Sequence, residues 1–177
     1  YMTLPPAVRL ADSVYANNFC SEVMMYMTWG RKNGDDQWGP MSTYQGMQNR
    51  LYNGYMRIAD SAQASVAPVG KIWELIRASR PEVELYQADE SHPTLAGSFL
   101  AAMTIYSSIY LEKPTILVGN SGLSNTFTNQ INTHIQEEIL DQLDLYHLRS
   151  RSNHTVLEDV SISQYSDIVQ LSATARK

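Results

Sequence analysis

The sequence predicts an α/β fold built around a parallel sheet, and three observations carry that expectation. The stretch Val23-Met24-Met25-Tyr26-Met27-Thr28-Trp29 is apolar without alternation, as a strand covered on both faces reads. Helical patterns stand before and after it, so helix and strand alternate along the chain. Hydrophobic residues make up 44% of the 177 positions, enough for one packed core and too many for a disordered chain.

The elements follow in order. Val8, Leu10, Ala11, Val14 and Tyr15 recur near helical spacing after Pro5-Pro6, and Pro6 suits a first helical turn. Asn17-Asn18 ends that helix, and the Val23 to Trp29 strand follows, giving half of a βαβ unit. Gly30 to Tyr44 is too rich in glycine and charge for a regular element, and a structured loop of that length is often functional. Met47, Leu51, Tyr55, Ile58 and Ala62 predict a helix over 44–63, weakened at Gly54 by about 1 kcal/mol relative to alanine.

Val66 to Val69 reads as a short strand, and Ile72, Trp73 and Ile76 open a helix that stops before Pro81. Val83 to Tyr86 reads equally as strand or turn. Leu95 to about Tyr110 is helical and carries small residues that permit close packing. Thr115 to Val118 is a β-like run, Asn129 to Leu145 an amphipathic helix, and Ser161 to Ala173 alternates weakly as strands do. Only two or three core strands are visible, fewer than the five or six of an ordinary open sheet. An uncovered strand edge would favour association.

Composition narrows the function. Thirteen Lys and Arg against 18 Asp and Glu leave a net charge of −5, without a basic run. That disfavours a nucleic-acid partner. No apolar stretch approaches the roughly 20 residues that span a bilayer, so no membrane partner is expected. The lone Cys20 makes no internal disulfide, and no Cys/His spacing suggests a structural metal; neither a metal nor an organic cofactor is implied. The chain opens on Tyr1 with no signal-like segment, so any targeting signal lies outside it. Localisation stays open, a secreted or periplasmic setting included.

Two stretches carry candidate chemistry. Asp89 and His92 lie three apart in a loop that feeds a helix, so carboxylate and imidazole can meet around one turn. Such a carboxylate fixes the imidazole tautomer and leaves Nε2 as general base toward a hydroxyl. The plainer alternative is a capping aspartate beside an incidental surface histidine. The loop from Trp29 to Trp38 holds Arg31, Lys32, Asp35 and two indoles after a strand, where open α/β sheets bind ligands. Trp29, Arg31 and Asp35 are its candidate substrate-binding residues, and a sugar suits aromatic faces flanked by hydrogen-bonding groups. A loop braced by buried tryptophans is the equal alternative. Met24, Met25 and Met27 belong to the core, and His134, His147 and His154 to surface or helix-end positions.

The segment Asp89-Glu90-Ser91-His92-Pro93-Thr94-Leu95-Ala96-Gly97-Ser98 resembles the final block of the SGNH, or GDSL-type, hydrolases. Tyr26 to Asp35 and Ala67-Pro68-Val69-Gly70 ahead of Trp73 resemble one uncharacterised branch of that superfamily, and the likeness spans about Pro5 to Tyr110. The resemblance implies a three-layer αβα sandwich of flavodoxin-like kind and a Ser-His-Asp triad whose acid and base are Asp89 and His92. It also implies that the nucleophile and oxyanion blocks precede the Trp29-Gly30-Arg31-Lys32 region, so this chain would hold the C-terminal portion alone.

Residues 1–112 are then the C-terminal portion of the hydrolase domain, 113–148 a helical extension of it, and 149–177 a tail of β character. The implied activity is serine-dependent hydrolysis of an acyl ester, with a small-molecule or carbohydrate ester as substrate, and the chain alone is expected to be inactive. Ser121, after a β-like run, could replace the nucleophile only in a circularly permuted arrangement. The alternative function is a non-catalytic carbohydrate-binding or scaffold fragment of the same fold.

Overall fold

A computed structural model describes residues 4–18, 20–114 and 122–148, together with the backbone of 156–165 and 168–176. Ser121 and His154 lie outside the described residues. Helix α1 spans Leu4–Asn17 with both prolines in its first turn, where a missing N–H leaves no bond unmade. Strand β1, Met24–Tyr26, leads through the long loop to helix α2, Tyr44–Ala62. The Thr43 hydroxyl caps α2 by accepting from Gly46 N at 3.1 Å, and Gln63 ends it in the left-handed conformation. Strand β2, Ser65–Ala67, pairs parallel with β1 in the register Met24 to Ser65, Met25 to Val66 and Tyr26 to Ala67. The expected βαβ unit is thereby complete.

The strand read as seven residues is only three long, and it is not covered on both faces. Met24 and Met25 are half-buried and Tyr26 is 42% exposed. The reason is the neighbourhood: β2 is the one strand beside β1 among the described residues. By contrast all three residues of β2 are buried, because its far side is occupied: Val66 N donates to Tyr146 O at 3.0 Å.

Helix α3 runs Val69–Ser79, so it begins where the sequence pattern still read as strand. Gly70 makes that abrupt junction possible. A Cβ there would lie 2.1 Å from Thr28 O, while Gly70 N donates to Met27 O at 2.9 Å. Val83 to Tyr86 forms no strand, only a single bridge from Tyr86 to Pro93. Helix α4, Leu95–Tyr110, starts at its Thr94 cap. Helix α5 spans Asn125–Glu138 rather than 129–145. Ser124 fixes its start by accepting from Phe127 N at 3.2 Å, and a 3-10 turn at Leu140–Gln142 replaces the expected last turns.

The main core joins α3, α4 and α5: Ile72, Trp73 and Ile76 pack with Leu100, Phe127, Ile131, Ile135 and Ile139. A second cluster under α2 holds Met27, Ala59, Val66 and Tyr146. Strands β3, Val156–Tyr165, and β4, Ile168–Arg176, form an antiparallel hairpin in which Val160 faces Ala173 and Tyr165 faces Ile168. The whole is a mixed α/β protein with a small two-stranded parallel sheet. Among the described residues no helix is long and apolar enough to cross a membrane.

Candidate active site

The two stretches singled out in the sequence meet at the carboxyl end of β1. Trp29 lies flat on Trp73 of α3, ring centroids 4.0 Å apart and planes 2° from parallel, and Trp73 meets Tyr86 edge-on. Trp29 Nε1 donates to Ser91 O at 3.1 Å, and Lys32 N donates to Glu90 O at 2.9 Å. Both bonds fasten the loop after β1 to the segment holding Asp89 and His92. That segment is closed on itself, since Gln87 N donates to His92 O at 2.8 Å and Thr94 N to Leu85 O at 2.9 Å. Glu90 adopts a positive φ of 58° inside it, an unusual conformation for a residue with a side chain.

Asp89 and His92 come together. His92 Nδ1 contacts Asp89 Oδ2, while Oδ1 accepts from Ser91 N at 3.0 Å and from His92 N at 2.9 Å. The bond from the His92 ring, reinforced by those two backbone donors, holds the Asp89 carboxyl down to about 2. The carboxylate is thus ionised and fully engaged at any neutral pH. With Nδ1 as the donor, Nε2 is the basic nitrogen, and it has no hydrogen-bond partner among the described residues. The pair stands on open surface: the His92 side chain is 73% exposed and that of Asp89 48%.

The candidate binding residues separate into two roles. Trp29 is half-buried, with one face taken by Trp73, so it braces the site instead of offering both faces to a ligand. Arg31 and Asp35 pair with each other at 3.0 Å on the surface of the same loop. Several positioning residues had no signal in the sequence pattern. Arg77 donates to Lys32 O at 3.1 Å and to the Tyr86 hydroxyl at 3.0 Å, with its guanidinium 3.9 Å above the Tyr44 ring. The Tyr86 hydroxyl donates to Gly30 O at 2.7 Å, and Gln48 Oε1 accepts from Gly30 N at 2.9 Å. Only the polar residues Gln48 and Arg77 amid apolar helical spacing could have hinted at this.

No family model matches this chain, and no curated protein or solved structure matches it.

A Ser-His-acid grouping lies elsewhere, at Ser79, His134 and Glu137, and fails on physical grounds. His134 Nε2 lies 3.0 Å from Ser79 Oγ, and its Nδ1 lies 3.6 Å from Glu137. Yet the Ser79 hydroxyl also reaches Leu75 O at 2.8 Å, and the Gln130 amide lies 3.2 Å from the same Nε2. Ser79 is moreover the last residue of α3, where backbone carbonyls oppose a developing oxyanion. Among the described residues no three His, Cys, Asp or Glu side chains gather as a metal site.

Proposed function

We propose that Asp89 and His92 are the acid and base of a serine-type acyl-ester hydrolase on a three-layer α/β scaffold, the SGNH kind that the sequence resembles. The observation that supports this reading is the Asp89 to His92 Nδ1 contact, with Asp89 anchored by two backbone N–H groups and Nε2 left unpartnered. Nε2 takes the hydroxyl proton of a serine as that oxygen attacks the ester carbonyl. The proton then passes to the departing alkoxide, and water hydrolyses the acyl-serine by the same route in reverse. Asp89 holds the ring's orientation and stabilises the imidazolium formed on the way. A small-molecule or carbohydrate ester is the substrate class that goes with this reading, with Trp29 bracing the loop and Arg31 and Asp35 paired on its surface.

The open setting of His92 favours a second reading. Charge stabilisation in a water-excluded site is typically the largest contribution to acyl transfer, and a 73% exposed imidazole has no such enclosure. A non-catalytic scaffold or carbohydrate-binding fragment fits that exposure. Hydrolysis of a short-chain aryl ester and labelling by a fluorophosphonate separate the two. They are measured on the chain and on any longer polypeptide in which it occurs, with His92→Ala, Asp89→Asn and Ser121→Ala beside the parent. Turnover abolished by His92→Ala supports the hydrolase. Turnover indifferent to His92, or no turnover in any form, overturns it, and labelling lost only with Ser121→Ala identifies a permuted nucleophile.

A further inference from the structure

Ester hydrolysis at His92 makes no use of a cavity that lies between α2, α3 and the end of α5. Its volume of about 470 Å³ is ordinary for a small-molecule site. Its lining is not, because every residue there except Tyr52 carries an amide or a charge. Gln48 is the innermost, only 1% exposed. Its Oε1 accepts from Gly30 N at 2.9 Å, whereas its Nε2 is buried with no hydrogen-bond partner among the described residues. Gly70 makes room for that amide, since a Cβ there would stand 2.7 Å from Nε2. A buried donor without an acceptor is costly, so its place calls for a polar occupant nearby.

Charge around the cavity is uneven. Lys71 Nζ donates to one oxygen of Glu74 at 3.2 Å and Gln45 Nε2 to the other at 2.6 Å, so Lys71 and Glu74 neutralise each other. Glu138 accepts from the Tyr146 hydroxyl with one oxygen. Its other oxygen has no partner, and its charge no basic neighbour, among the described residues.

We propose that this cavity binds an amino sugar, its ammonium group held by Glu138, independently of the Asp89 and His92 site. A carboxylate with an open oxygen takes an ammonium through charge-assisted hydrogen bonds. Glu138 is moreover the last residue of α5, where helix carbonyls add negative potential and favour a cation. Sugar hydroxyls both donate and accept. Asn49 Nδ2 and the remaining Lys71 N–H groups can donate to them, and Gln45 Oε1 can accept. Tyr52 supplies the aromatic surface that suits the C–H face of a sugar ring. A simple amine would leave the amides unmatched, and a neutral sugar would leave Glu138 uncompensated.

The test is a chemical-shift titration of the nitrogen-15-labelled chain with glucosamine, glucose, N-acetylglucosamine and 1,4-diaminobutane, slightly below neutral pH where the sugar's amine is charged. Glucosamine is expected to bind, more weakly as salt rises, with shifts centred on the amides of Gln48, Asn49, Lys71 and Glu138. Glucose and N-acetylglucosamine lack the ammonium and diaminobutane lacks the hydroxyls, so each should bind about tenfold more weakly or worse. Glu138→Gln keeps an acceptor for Tyr146 but removes the charge; it is expected to weaken glucosamine about tenfold and to erase its advantage over glucose. Asn49→Ala should weaken every sugar that binds, and His92→Ala should change nothing. Thermal melts verify that the variants fold. Failure of glucosamine to bind, or equal binding of any of the other three compounds, overturns the proposal. So does an affinity indifferent to Glu138→Gln, or to Asn49→Ala should the glutamine variant not fold.

Discussion

Gly97→Ala sets local propensity against packing, and the structure decides the sign. Within a helix, alanine is favoured over glycine by about 1 kcal/mol, so α4 considered alone would gain. In place, however, the new methyl would stand 2.5 Å from Trp73 Cη2 and 2.6 Å from Leu85 O, against an ordinary contact of 3.4–4 Å. Neither neighbour yields readily. Trp73 is fully buried and stacked on Trp29, and Leu85 O accepts from Thr94 N at 2.9 Å.

Overfilling a packed core typically costs about 1–3 kcal/mol. An overlap of about 1 Å with two rigid groups belongs at the top of that range, leaving a net loss of about 2 kcal/mol. For a chain of this size that lowers the melting temperature by about 4–8 °C. Scanning calorimetry of the parent, Gly97→Ala and Gly54→Ala makes the comparison internal. Gly54 is also within a helix, but with nothing within 4 Å of its would-be Cβ, so that variant should gain about 0.5–1 kcal/mol. Equal shifts for the two variants, or a rise for Gly97→Ala, would refute the packing of α4 on Trp73 described above.

Arg77→Leu deprives Lys32 O and the Tyr86 hydroxyl of their donor; urea unfolding should show a loss of about 1.5–3 kcal/mol, and an unchanged midpoint would argue against this brace. Asp89 has its folded pKa depressed from 3.8 to about 2, so its contribution to stability is complete above the unfolded value and is lost as the pH falls from 3.8 toward 2. Carboxyl NMR titration checks this, and an Asp89 resonance that titrates near 4 would contradict it. The side of β1 away from β2, which pairs with no strand among the described residues, predicts concentration-dependent association in sedimentation velocity, reduced by Tyr26→Lys, which places a charge on the edge; a monomer at every concentration would remove the argument.

Much of the architecture was legible because it rests on periodicity and local punctuation. Proline in the first turn of α1 and the stop of α3 before Pro81 are both local effects that the chain advertises. Legibility failed where tertiary surroundings decide. Nothing in Val23 to Trp29 reveals that β1 has one strand neighbour among the described residues, so a run that reads as fully buried leaves Tyr26 exposed. Val69 looks like strand because it is β-branched, yet Gly70 lets the chain turn into α3 at once. The Ser124 cap moves α5 four residues upstream of its apolar pattern.

At the candidate site, the three-residue spacing was enough to suggest that Asp89 could reach His92, and the two are in contact. The bracing was not legible, because it joins residues far apart in sequence. Trp29 to Ser91, Lys32 to Glu90 and Arg77 to both Lys32 and Tyr86 depend on how α3 and two loops pack. Those bonds also change the reading of Trp29, whose indole supports the loop instead of facing outward on both sides.

The tautomer of His92 tests the acid and base pair most directly. Nitrogen-15 correlation spectra distinguish a proton on Nδ1 from one on Nε2 of a neutral imidazole. A carboxylate accepting from Nδ1 should make that protonated nitrogen the major form, and Asp89→Asn should shift the balance toward Nε2. A ring protonated mainly on Nε2 in the parent, with no response to Asp89→Asn, would show that Asp89 does not prepare His92 as a base.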